Sequence, residues 1–189
     1  MFKNSILSVL AMGFASFSLS QTFMQGIGVN LVMQSISGYT VKPVVGILYS
    51  PKISFFEKDY SSLSIGLPIS LGYAGIYQTP GTNENNITIG WMLDASMIIN
   101  FNYGAGSNKK TGRRFGFFGG AGYGYHANPY INENSGNSFY WESGFGPVFN
   151  TGIRIAKDRH HNVEIRFSYM KAMDESKSNI FGIAAIFNY

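Results

Sequence analysis

The sequence contains no cysteine and very little charge: Asp, Glu, Lys and Arg make up only 13% of its 189 residues. Without cysteine there can be no disulfide, no thiolate metal site and no N-terminal cysteine to carry a lipid anchor. Charge at about half the share usual in soluble domains is too little to solvate an ordinary water-facing surface. The positive excess is also small, +4, and the basic residues form no dense stripe, which argues against a nucleic-acid partner. A transmembrane helix is missing from the body of the chain. Residues 61–83 carry no charge, but Gly66, Pro68, Gly72, Gly75 and Pro80 interrupt them, and their period is two rather than 3.6.

Aromatic residues, by contrast, reach 16%, and there are 23 glycines. That much apolar surface excludes a disordered chain, and the length suits a single domain. The first 20 residues read as an export signal. Lys3 is followed by an apolar stretch from Ile6 to Phe17, and Ser18 and Ser20 stand at the −3 and −1 positions of a cut before Gln21. The apolar stretch is too short to span a membrane comfortably as an anchoring helix. Residues 21–189 are then the mature domain.

Within it, alternation recurs. Leu63, Ile65, Leu67, Ile69, Leu71 and Tyr73 share one face of a strand, with Ser62, Ser64, Gly66, Pro68, Ser70 and Gly72 on the other. Similar two-faced segments begin near residues 22, 45, 89, 115, 139, 163 and 181, giving eight strands separated by turn-rich segments. The second of these is ambiguous in its path, because Pro43 and Pro51 each remove a ladder donor. The pattern predicts an all-β, antiparallel up-and-down transmembrane barrel of eight strands. The small-residue face suits the narrow interior of such a barrel, and the aromatic-rich face does not.

Charge placement decides which face meets what. Lys42, Lys52, Asp94, Glu142, Arg154, Glu164 and Arg166 all fall on the small-residue face. Nearly all other charges sit in turns or at strand ends, and the bodies of the apolar faces carry none. A charge in hydrocarbon costs about 2–4 kcal/mol at the midplane, whereas a water-facing surface has no reason to avoid charge so completely. The apolar face is therefore expected to meet membrane lipid.

These features resemble the outer-membrane β-barrel proteins of the OmpA-type transmembrane-domain class. The resemblance covers residues 21–189 and rests on the signal segment, the meander and the closing strand 180–189. It implies residence in the outer membrane of a Gram-negative envelope. It also implies recognition of the final aromatic residue, Tyr189, by the barrel-assembly machinery. The class does not fix function. It includes small porin-like barrels and some lipid A-modifying enzymes. The deacylase type among the latter needs His-x-Ser facing lipid, whereas here His126 is followed by Ala127 and Asn128 and has inward parity.

The remaining candidate chemistry is a polar network in the lumen: Asp94, His126, Glu142, Arg154, Glu164 and Arg166. Asp94 and Glu142 could form an acid pair flanking Gly124, with His126 near, but bracing of a closed lumen is the favoured role. Arg154 is expected opposite Glu164 across a short turn. His160 and His161 lack the carboxylate or thiolate spacing of a metal site, and the glycine run 119–124 lacks the Lys and Ser/Thr of a phosphate loop. No cofactor, metal or catalytic residue is expected. The expected role is non-enzymatic, in envelope integrity or in contact with an extracellular ligand or protein through surface loops. A small channel is the alternative, and a lipid A-modifying enzyme a weaker one.

Overall fold

The computed structural model describes residues 22–35, 42–74, 88–108, 111–128, 130–132, 138–140, 143–158, 161–173 and 178–189. The export-signal segment, residues 1–20, and Glu142 lie outside them. The strands are β1 (Thr22–Met24), β2 (Gly26–Ser35), β3 (Lys42–Tyr49), β4 (Lys52–Phe55), β5 (Ser61–Gly66), β6 (Ile69–Ala74) and β7 (Thr88–Gly104). They continue with β8 (Phe115–Ala127), β9 (Tyr130–Asn132), β10 (Ser138–Tyr140), β11 (Ser143–Ala156), β12 (Asn162–Lys171) and β13 (Asn179–Asn188). All pairings are antiparallel, and β13 closes onto β2 to make an eight-stave barrel.

Five staves are interrupted but keep their register. β1 and β2 form the first, β3 and β4 the second, β5 and β6 the third. Pro51 and Pro68 lie in two of the gaps, where a missing N–H breaks the ladder without shifting it. Met33 pairs with Pro43, Ile27 with Tyr49 and Met24 with Lys52, so the second stave runs straight through both of its prolines. β9 extends β8, and β10 extends β11, as a hairpin rising beyond Ala127, with β9 also paired to β7. Residues 138–140 were expected within the sixth strand. They do lie on the sixth stave, in the part that β10 adds in register with β11.

Closure sets the size of the interior. Crossing Cα partners from Thr22 leads through Ser54, Ser64, Asn100, Gly120, Asn150, Ser168 and Gly182 to Val32, ten residues further along the first stave. With a rise of about 3.3 Å and a strand spacing of about 4.8 Å, that stagger tilts the staves about 40°. A barrel of this size is just wide enough for side chains to fill. Every residue on the path has a small or polar side chain except Val32, as the alternation of the sequence requires.

The outer face is the apolar one. Phe23, Val29, Ile47, Leu71, Met97, Ile99, Phe117, Phe149 and Phe167 are all exposed. Phe55, Tyr103, Phe117, Phe187 and Tyr189 ring the end that carries both termini, while Tyr73, Trp91, Phe145 and Phe181 ring the other. These are the two aromatic girdles of a membrane-spanning barrel, with an uncharged belt between them.

Candidate functional site

The lumen is layered. Nearest the termini, Glu164 is completely buried and accepts from three cations. Arg154 Nε donates to its Oε2 at 2.7 Å, and Lys52 Nζ reaches the same oxygen at 3.3 Å. Arg166 donates to Oε1 through Nε at 2.8 Å and through one terminal nitrogen at 2.6 Å. Asn188 Nδ2 adds a longer contact to Oε2 and donates to Asn162 Oδ1 at 2.9 Å. Arg154 also donates to Asn102 Oδ1 and the Gly106 carbonyl, and Arg166 to Ser50 Oγ at 3.0 Å. Strand pairing explains the first contact, since Arg154 and Glu164 are direct partners across β11 and β12. The other cations arrive from β4 and from two residues along β12.

Phe118 supplies the floor on which the guanidinium groups rest. Its ring centroid is 4.3 Å from Arg154 Cζ and 5.8 Å from Arg166 Cζ, both cation–π distances. The ring fits because Gly152 has no side chain: a Cβ there would lie 2.6 Å from Phe118 Cζ. Phe118 shares the parity of Gly116 and Gly120, but nothing in the composition marks one large aromatic there as the support of an ion cluster.

The mouth beside the termini is closed by the segment after β7. Ala105, Ser107, Asn108 and Thr111 are buried, and Asn108 Nδ2 donates to the carbonyls of Lys58 and Asp59. Gly104 and Gly106 take φ of +76° and +70°, a backbone region that suits glycine and lets this segment turn inward. In sequence, residues 104–113 read as one of the turn-rich segments between strands. The structure instead folds part of it into the barrel.

Toward the opposite end, the interior becomes apolar. Val32, Val44, Met92, Ile98, Val148, Met170, Ala172 and Ile180 form one buried cluster. Between it and the ion cluster lies a cavity of about 80 Å³ whose lining is mostly apolar, with Val32, Leu48, Ile98 and Met170 beside the polar Asn30, Ser70 and Arg166. The sequence predicts a lumen of mostly small and polar residues, and the apolar cluster departs from it. The correction arises because valine, methionine and isoleucine at inward positions fill space that no chain of hydrogen bonds would satisfy.

A second polar group crosses the lumen among these apolar residues. Asp94 and His126 are direct partners across β7 and β8, and His126 Nδ1 donates to Asp94 Oδ1 at 2.5 Å. His126 Nε2 lies 3.4 Å from Gln34 Oε1, to which Asn128 Nδ2 donates at 3.1 Å. Gln34 Nε2 and Asn128 Oδ1 are left buried and unpartnered. The two amide orientations are interchangeable. Turning both gives His126 Nε2 a donor and keeps the Gln34–Asn128 contact, while the other atom of each amide takes the unpartnered position. The expected register differs here: Gly124 faces Ser96 and Gly146, while Asp94 faces His126.

The six lumen residues singled out in the sequence therefore divide. Arg154, Glu164 and Arg166 form one group, Asp94 and His126 another, and Glu142 is not among the described residues. Lys52 joins the first group and Gln34 and Asn128 the second. Lys52 was legible as an inward charge, but its partner is 112 residues away and no local pattern reveals it. Among the described residues, no group of three or more His, Asp or Glu could hold a metal ion.

No family model matches the chain, and no curated protein matches it in sequence. Its fold is nonetheless shared with solved structures. Ail, the attachment invasion locus protein of Yersinia pestis, is similar over 90% of this chain and 99% of its own, with 12% identity and a TM-score of 0.59. Neisserial surface protein A matches over 89% and 97%, with 13% identity and a TM-score of 0.58. The outer membrane protein OprG from Pseudomonas aeruginosa matches over 90% and 96%, with 9% identity and a TM-score of 0.50. The molecule has the fold of the small eight-stranded outer-membrane barrels. Its uncharged outer belt and paired girdles fit that membrane location.

Proposed function

We propose that this is a non-enzymatic barrel that acts through its surface segments at the end opposite the termini, in contact with an external ligand or protein or in envelope integrity. The observation that carries the reading is the filled lumen. An inward-folded segment, an ion cluster, a cavity of about 80 Å³ and an apolar cluster with a polar crossing succeed one another along the axis. An interior occupied in this way leaves the outside of the molecule as the place for work. The same reading takes exposed Tyr189, whose backbone exchanges hydrogen bonds with Gln25, as the residue that the barrel-assembly machinery engages.

Two measurements test it. Purified protein in a planar bilayer should leave the conductance at baseline. A strain lacking residues 76–86 or 133–137 should lose surface contacts seen by crosslinking in the intact strain. Steady channel openings would favour transport instead. An altered lipid A acyl-chain profile in expressing cells would favour an enzyme, with the Asp94–His126 pair as the first place to look.

A further inference from the structure

Arg113 lies outside the lumen and outside this functional reading. Arg113 is exposed beside the membrane girdle at the terminal end of the barrel. Its Cζ is 4.3 Å from the Tyr60 ring centroid and 5.0 Å from that of Tyr103. Tyr103 in turn lies 5.1 Å from the ring of lipid-facing Phe117. The guanidinium is thus held within cation–π distance of two rings on the outer wall, where acyl chains give way to headgroups.

The two segments that make this platform are tied together. Asn108 donates to the carbonyls of Lys58 and Asp59, and its Oδ1 accepts from Thr111 N at 2.7 Å. Gly104 N donates to the Tyr60 carbonyl at 2.8 Å. Tyr60 and Arg113 are therefore positioned before any ligand arrives, which removes part of the ordering cost of binding. Charge on the same rim is complementary to an anion. Among the described residues, the three turns there hold Lys58, Arg113, Arg114 and Lys157 against Glu57, Asp59 and Asp158.

We infer that Arg113, seated on Tyr60 and Tyr103, is a binding site for the phosphate of an anionic phospholipid in the leaflet facing the chain termini. A guanidinium carries a planar fork of N–H donors that binds phosphate oxygens in a bidentate manner. The neighbouring rings contact the upper acyl chain. A basic residue near a membrane surface also gains from a net negative headgroup, which a zwitterionic lipid lacks.

Native mass spectrometry of the folded full barrel, with phosphatidylglycerol or phosphatidylcholine added, tests the site. Phosphatidylglycerol adducts should exceed phosphatidylcholine adducts at least fivefold. Arg113→Gln should remove most of that preference, and Tyr60→Leu should reduce it at least twofold. Lys171→Gln, at the other rim, should leave it unchanged. Each variant is first checked for the heat-dependent gel shift of a folded barrel. If Arg113→Gln fails that check, Arg113→Lys replaces it, and its loss of the bidentate fork should still lower the preference. Equal adducts for the two lipids would overturn the inference, as would a wild-type preference in the Arg113 variant that folds. Displacement of the lipid by millimolar inorganic phosphate would also overturn it, by showing a site for a free anion.

Discussion

Glu164 is the residue on which the lumen turns, because one carboxylate balances three buried cations. Removing an anion from a buried pair leaves charge uncompensated at a cost of about 3–5 kcal/mol. Glu164→Gln strands Arg154, Arg166 and Lys52 together, so it should lower stability by at least that amount. Arg154→Met leaves Glu164 with two cations and should cost less. Combining the two changes should recover only part of the loss, since Arg166 and Lys52 still lack their anion. Urea unfolding in lipid, analysed as a double-mutant cycle, measures the coupling. Additive effects would show that the 2.7 Å contact between Arg154 and Glu164 carries no coupling energy.

At the scale of the stave, the useful contrast lies between the faces of β5 and β6. Leu67 is exposed in the middle of the belt, opposite Met97, whereas Ser70 is buried and donates to Asn30 Oδ1 at 3.0 Å. Leu67→Arg should cost about 2–4 kcal/mol near the midplane, and Ser70→Asn, inward beside the amide of Asn30, should cost less. Folding yields into vesicles compare them, and equal yields would reverse the assignment of faces. This parity was legible in the sequence because a lipid belt forbids charge and a narrow lumen forbids bulk, two constraints that act on every strand alike. The pairing of Arg154 with Glu164 was legible for a similar reason, since a short turn fixes their register. The partners of Lys52 were not, because they depend on closure of the whole barrel. The inward fold of residues 105–108 was hidden too: glycines and small polar residues read the same in a solvated turn as in a plug. Met92, Ile98 and Met170 had inward parity, but only the closed barrel shows that they pack together.

For the whole molecule, a closed ladder has no edge from which to unzip. Unboiled protein in SDS should migrate differently from boiled protein, and identical migration would contradict the barrel. Orientation can be read with inserted tags. Gly112 is suited to one, because it is exposed and an added Cβ would meet nothing within 4 Å. A tag after Asn132 should be reached by antibody on intact cells, whereas a tag at Gly112 should be reached only after the membrane is opened. The reverse pattern would invert the barrel.

The ion cluster also has a temporal meaning. Lys52 comes from the second stave, Arg154 from the sixth and Glu164 from the seventh, while Asn188, beside them, comes from the eighth, which meets the first only when β13 closes onto β2. Until that seam forms, these groups can stay hydrated. Their attraction gains its full strength only once water has been shut out. The cluster should therefore contribute little to the transition state for folding and much to the finished barrel. In kinetic terms it acts as a latch: changes at Glu164 should accelerate unfolding far more than they slow folding. The lifetime of the folded molecule in its membrane would then be governed by a contact that plays almost no part in building it.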